Sequence, residues 1–185
     1  IMLFLGHYGN WEWVPAITRH FDKPECTGEI YRPIHDQAFD RVMLDIRSRF
    51  RSVCVPQAKA VRTLLGWQRQ HGSFMVGFIA DQRPNSANLN HWTTFLGLDT
   101  SFPAGAEQIG SHVDAAYVYL DVERVGRGYQ NLTFREIEPL DDGQPFPYTR
   151  AYYRMMEQTI RRAPQYWLWS HRRWLFDRKG NVIRQ

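Results

Sequence analysis

Ile1-Met-Leu-Phe-Leu-Gly-His-Tyr-Gly-Asn-Trp-Glu-Trp13 is the stretch from which the rest of the chain is read. Its unbroken apolar run, Ile1 to Leu5, suits a strand covered on both faces, as in a parallel sheet, although a run this short also fits a buried helix. Gly6 and Gly9 punctuate a turn. Asn10 is a suitable N-cap for a helix running to His20, and Glu12 falls in its first turn, where a carboxylate complements the helix dipole. A Trp at N3 means that no capping box is formed. The expected order is strand, tight turn, helix start.

That order gives His7 and Glu12 a chemical reading. Residues five apart on one helix point in divergent directions, so the two side chains meet only if His7 lies in the turn and Glu12 on the helix. A carboxylate bonded to one imidazole nitrogen fixes the tautomer and leaves the other nitrogen free to take a proton from an alcohol. No Ser or Cys lies in the turn, so the attacking oxygen is expected from a substrate and not from a nucleophile elbow. Spacing alone equally fits a surface His beside a helix-capping Glu.

Beyond the first helix the pattern breaks at Phe21-Asp-Lys-Pro24, and Thr27 to Arg32 reads as a short strand stopped by Pro33, with Arg32 at its end. From Asp36 to Phe50 the residues Phe39, Val42, Met43, Ile46 and Phe50 fall on one helical face, which predicts a packed amphipathic helix. Ser52 to Val55 reads as a strand and Gln57 to Gln70 as a helix with Val61, Leu64 and Leu65 inward. Phe74 to Ala80 repeats the first strand's signature and ends in Asp81-Gln82-Arg83-Pro84. Alternating strands and helices predict an α/β fold. Ligands of open α/β sheets bind beyond the carboxyl ends of strands, and His7, Arg32 and Asp81 all occupy such ends.

A polar loop at 85–90, a strand at 91–96 and a helix at 103–112 follow. Residues 115–123 and 130–137 alternate around Val125-Gly-Arg-Gly128 and read as a β-hairpin. Pro147 begins a last helix whose Tyr152, Met155, Met156 and Ile160 form an inward stripe. The closing stretch Tyr166-Trp-Leu-Trp-Ser-His-Arg-Arg-Trp174 interleaves Trp with Arg. That pattern suits a lipid interface, stacking on nucleic-acid bases, or closure of the fold by aromatic and cation contacts. His20, His35, His71, His91 and His112 show no ligand pattern.

Composition bounds these readings. The 185 residues are 43% hydrophobic and 15% aromatic, enough for one sizeable core. Net charge is +4, but residues 150–185 hold nine Lys or Arg against two acids, so the basic character is C-terminal. Cys26 and Cys54 lack metal spacing and read as thiols of a reducing compartment, with a disulfide left open. No structural metal and no cofactor is expected. No stretch reaches the ~20 apolar residues of a membrane span. The chain opens directly in an apolar strand with no leading Met, so a preceding segment is expected.

Gly6-His-Tyr-Gly-Asn-Trp-Glu12 resembles the H-x4-D/E block of the glycerolipid acyltransferase superfamily, and its wording is similar to that of the lipid A biosynthesis acyltransferases. Ile30-Tyr-Arg-Pro33, Ala80-Asp-Gln-Arg-Pro84, Thr94-Phe-Leu-Gly97 with Gly105, and Pro164 to Trp174 are similar to further family stretches in the same order. The resemblance spans nearly the whole chain. It implies one α/β domain over 1–185, glycerolipid-acyltransferase-like, with a largely parallel or mixed sheet flanked by helices and an upstream membrane anchor. It implies transfer of a fatty acyl chain from an acyl carrier protein or other thioester donor to a lipid hydroxyl, at the cytoplasmic face of the bacterial inner membrane.

Within that expectation His7 is the general base and Glu12 its orienter. Backbone amides between Gly6 and Asn10 face the oxyanion, Arg32 anchors a phosphate, and Asp81 with Gln82 organises the rim or holds Arg32. Asn10 and Gln82 count among the substrate-binding residues. The cationic C-terminal segment is expected to meet an acidic carrier or an anionic membrane surface, and nucleic acid is not expected as a partner. An esterase or thioesterase using the same pair on water, and a basic binding module without chemistry, are the alternatives.

Overall fold

A computed structural model of the chain describes residues 1–22 and 26–183. The break expected around Lys23-Pro24 lies outside the described residues. The expected first strand, β1 (Met2–Leu5), is buried along its whole length because it is paired in parallel on both sides. Its partners are β4 (Met75–Ile79) and β7 (Tyr117–Gly126). Beyond β4 lie β2 (Thr27–Tyr31) and then β3 (Val53–Pro56), again parallel. β8 (Tyr129–Glu136) closes the other edge as the antiparallel arm of the expected hairpin, giving the order β3-β2-β4-β1-β7-β8. The result is the α/β fold with a mixed central sheet that the alternation of elements pointed to.

One further hairpin, β5 (Trp92–Phe95) and β6 (Leu98–Ser101), stands apart from this sheet. It turns at Leu96 and Gly97, both at positive φ, the geometry of a tight two-residue hairpin.

The segment after the turn departs from expectation. Trp11–His20 is a 3-10 helix, and the Asn10 side chain makes no cap bond. Pro15 is the physical reason, since it has no N–H to offer the Trp11 carbonyl and its ring crowds that carbonyl. Trp13 N–H bonds to the Asn10 carbonyl at 2.9 Å, the tighter i to i−3 pattern.

α1 (Gln37–Ser48) is a second departure. It forms where periodicity placed it, with Asp36 accepting from Phe39 N–H as N-cap, but no residue of the helix is buried. Phe39, Val42 and Ile46 are 55%, 51% and 50% exposed, so the apolar stripe faces outward and the expected packed helix is not formed. In α2 (Ala60–His71), Leu64 is buried as expected, whereas Val61 is exposed.

The long helix α4 (Pro147–Arg162) packs on the carboxyl ends of β1 and β4. Its Tyr152, Tyr153, Met156 and Ile160 are buried. Its N-terminus is capped from a distance: Glu107 of α3 (Gly105–Ser111) accepts from the backbone N–H groups of Tyr148 (3.3 Å) and Thr149 (2.7 Å), and from the Thr149 hydroxyl (2.6 Å). These are donors that a helix start otherwise leaves unpaired.

The Trp- and Arg-rich C-terminal stretch closes the fold. Trp174 donates its indole N–H to Thr100 Oγ1 at 2.7 Å, and Arg173 is buried against the Ser101 carbonyl and the Tyr153 hydroxyl. Arg162 pairs with Asp121 at 2.7 Å and Arg161 with Glu157 at 2.6 Å. Asp177 turns instead to Asn181, 3.0 Å away. Of the aromatic and cationic groups expected at a lipid interface, Trp169, Arg161, Arg162 and Arg172 are exposed, Arg161 and Arg162 while paired with acids.

Candidate active site

Sheet register brings the first two site residues together. β1 pairs with β4 as Leu5 opposite Ile79, so two steps further His7 stands opposite Asp81 beyond the carboxyl ends of neighbouring parallel strands. Two adjacent tyrosines of α4 fix the strand ends: Tyr152 donates to the Leu5 carbonyl at 2.8 Å and Tyr153 to the Ala80 carbonyl at 2.6 Å. Gly6 leaves room for the end of the Met156 side chain between strand and His7. A Cβ there would run into the thioether of Met156 and come within 3.4 Å of Asp81 Cγ.

The carboxylate bonded to His7 is Asp81 and not Glu12. His7 Nδ1 lies 2.7 Å from Asp81 Oδ1, and His7 backbone N–H donates to Asp81 Oδ2 at 3.1 Å. Trp167 donates its indole N–H to the same Oδ2 at 2.8 Å. Asp81 is 1% exposed. Burial pushes its carboxyl up, but the His7 and Trp167 hydrogen bonds together outweigh that and hold it below the ordinary range. Asp81 is thus a carboxylate that accepts, and Nδ1 carries the proton. The opposite nitrogen, His7 Nε2, is then left as an acceptor, and its lone pair takes the Gln82 side-chain N–H at 3.3 Å.

Glu12 is elsewhere. Both of its oxygens are held by Arg47 of α1, at 2.9 Å from Nε and 2.6 Å from an Nη, so the expected contact with His7 is replaced by a two-point ion pair. The 3-10 geometry after Asn10 changes the direction in which Glu12 leaves the turn, and Asp81 has already filled the Nδ1 side of the ring. Arg47 also comes within 3.8 Å of Glu29 on β2. The Cys54 thiol donates to Glu29 at 3.4 Å, and burial with the neighbouring carboxylate pushes that thiol up to about 12. Cys54 is an inert thiol at neutral pH.

The backbone amides expected to face an oxyanion are spent on the fold. His7 N–H goes to Asp81, Tyr8 N–H to the Gly6 carbonyl, Gly9 N–H to the Tyr166 carbonyl and Asn10 N–H to Gln130 Oε1. Arg32 is exposed just beyond β2, with one long 3.4 Å contact to Asn85 Oδ1. Asp81 does not hold it, because both Asp81 oxygens are taken by His7 and Trp167.

His171, which no pattern explained, accepts the Arg83 backbone N–H on Nε2 at 3.3 Å and ties the C-terminal stretch to the Asp81-Gln82-Arg83 turn. Burial first, then the cations of Arg83 and Arg173, keeps its imidazole below the ordinary range. The contribution of Trp167 was hidden in an aromatic run that reads equally well as core. Among the described residues no three His, Cys, Asp or Glu converge as a metal site, and no helix is long and apolar enough to cross a membrane.

The arrangement is a buried carboxylate, an imidazole held by it on Nδ1, and an Nε2 that meets only the Gln82 amide, with no Ser or Cys bonded to it among the described residues. The family model for bacterial lipid A biosynthesis acyltransferases matches residues 1–176. No curated protein matches the chain.

Proposed function

Because the chain belongs to the bacterial lipid A biosynthesis acyltransferase family, we propose that it moves a fatty acyl chain from a carrier-bound thioester to a hydroxyl of a lipid A-like acceptor, with His7 as general base. The observation that carries this reading is the His7–Asp81 pair, with Nδ1 bonded to the carboxylate at 2.7 Å and Nε2 left as acceptor.

The acceptor hydroxyl takes the place of the Gln82 amide at Nε2. As its oxygen attacks the thioester carbonyl carbon, its proton passes to Nε2, and Asp81 stabilises the imidazolium that forms. The tetrahedral adduct collapses with cleavage of the C–S bond, and the departing sulfur takes the proton back from Nε2. The products are an ester and a free carrier thiol. Gln82, displaced from the ring nitrogen, is then a donor at hand for the oxyanion, since the amides of the turn are spoken for. The donor is an acyl carrier protein, and the reaction takes place at the cytoplasmic face of the inner membrane against its anionic lipid surface.

The test is full-length enzyme with acyl carrier protein thioester and a phosphorylated lipid acceptor, read by mass spectrometry. A product heavier by one acyl group and labile to mild base supports the reading. Free fatty acid formed at the same rate with and without acceptor would show a thioesterase instead.

Arg32 supplies a separate expectation. An exposed guanidinium beyond β2 with a single neutral contact suits a phosphate on lipid or carrier. Arg32→Ala should raise KM for phosphorylated substrates by ~10-fold, the lower end for a charged hydrogen bond, and Arg32→Lys should recover part of it. Equal losses on phosphorylated and phosphate-free substrates would make Arg32 merely structural.

A further inference from the structure

We infer that Trp167 is a positioning residue of the active site, whose indole N–H fixes the Asp81 carboxylate in the orientation that holds His7 in its working tautomer. The inference rests on the general-base reading above and extends it to a residue outside the His7 and Asp81 turns.

The observations are geometric. Trp167 is 6% exposed, and its Nε1 lies 2.8 Å from Asp81 Oδ2. That oxygen also accepts the His7 backbone N–H, while Oδ1 faces His7 Nδ1. A carboxylate can rotate about its Cβ–Cγ bond, and a donor on the far oxygen stops it from turning away from the ring. The segment carrying Trp167 is docked on the His7 turn: Tyr8 and Trp167 form an antiparallel bridge, Leu168 N–H donates to the His7 carbonyl at 3.1 Å, and Gly9 N–H donates to the Tyr166 carbonyl at 3.0 Å. The indole ring is held edge-on against Phe95 and Trp174, with centroids 5.7 and 6.1 Å away. The donor is therefore attached to the turn that it serves and locked by packing on its other side.

A merely structural Trp at this place would close the fold as Trp174 does, with its N–H on Thr100 Oγ1 and its ring against Phe95. Trp174 is the matched control. Other titratable or charged groups around Asp81 come from three directions: His7 from β1, Tyr152 and Tyr153 from α4, and His171 with Arg173 from the C-terminal stretch, besides Arg83 on its own turn. The substitution leaves all of them in place.

The experiment compares full-length Trp167→Phe, Trp174→Phe and His7→Ala for acyl transfer across pH. Losing one donor makes the Asp81 carboxylate more basic and strengthens its hold on a charged imidazole. The acid limb of kcat/KM for Trp167→Phe should thus move upward by ~0.5–1 pH unit, with kcat lower by ~10-fold and KM little changed. Trp174→Phe should keep the wild-type pH profile at a comparable loss of melting temperature. If Trp167→Phe does not fold, a benzothiophene analogue of Trp at position 167, which keeps the bicyclic ring and lacks the N–H, carries the same measurement. Coincident pH profiles and kcat values for the two Trp variants, with His7→Ala inactive, overturn the inference alone. A fully active His7→Ala enzyme removes the general-base reading and this inference with it.

Discussion

His7→Ala lowers acyl transfer by about a hundredfold to ten-thousandfold while the protein stays folded, the span expected for loss of a general base. The His7 ring makes two polar contacts, one to Asp81 and one to Gln82, and neither crosses the apolar core. Its backbone N–H, which the substitution retains, continues to hold Asp81 Oδ2. Oδ1 of the buried Asp81 loses its partner, so stability should fall by on the order of 1–3 kcal/mol without unfolding the protein, and the larger loss should appear in kcat. The check is a steady-state assay on full-length enzyme with circular dichroism of the same preparation. Wild-type turnover in a folded His7→Ala protein would mean that another group takes the proton.

Asp81→Asn is expected to be nearly as damaging, and more damaging than Glu12→Gln. The neutral amide is close in shape but is no longer a charged acceptor. Turning its NH2 toward His7 Nδ1 would favour the tautomer with the proton on Nε2, where the acceptor hydroxyl needs a lone pair. The buried carboxylate also accepts from His7 N–H and Trp167, so part of the effect is on stability, on the order of 1–3 kcal/mol for a buried group left unpaired. Glu12→Gln loosens a partly exposed ion pair to Arg47 that ties the start of the 3-10 helix to α1, worth ~1 kcal/mol or less. A loss of at least ~100-fold in kcat is expected for Asp81→Asn and under ~10-fold for Glu12→Gln. The reverse order would return the orienting role to Glu12.

The contrast between these two carboxylates shows how far the sequence could be read. Local pattern found β1, the turn and His7, because an apolar run ending in Gly-His-Tyr-Gly is a signal contained within ten residues. It also placed Asp81 at the end of a second buried strand, on the same rim as His7. What it could not show is that β4 lies beside β1, since the pairing spans 74 residues and the intervening β2 and β3 come first in the chain. Glu12 was the nearer carboxylate in sequence and so took the orienting role. Pro15 was visible in that stretch and was the one sign that an ordinary α-helix start would not form.

The same limit explains α1 and the C-terminus. Periodicity shows that Phe39, Val42 and Ile46 share a face but not which way that face points, and here it points out. In the Trp- and Arg-rich stretch, composition reads the same for a lipid-facing belt and for a clamp. What separates them is where each N–H and each guanidinium ends, on Asp81, Thr100, Ser101 and Asp121. Those partners lie on three different segments, the turn after β4, β6 and β7, and none could be inferred from the run itself. β6 was passed over because Leu98-Asp-Thr-Ser101 is short and half polar, although Gly97 marked its turn.

The most direct measurement is the tautomer of His7 itself, by nitrogen-15 NMR of histidine-labelled protein at neutral pH. The His7–Asp81 pairing predicts that the neutral form of the ring carries its proton on Nδ1 and is bare on Nε2, converting to the Nε2-protonated tautomer in Asp81→Asn and unchanged in Glu12→Gln. A His7 ring already protonated on Nε2 in the unmodified protein, or one that responds to Glu12→Gln and not to Asp81→Asn, would contradict it.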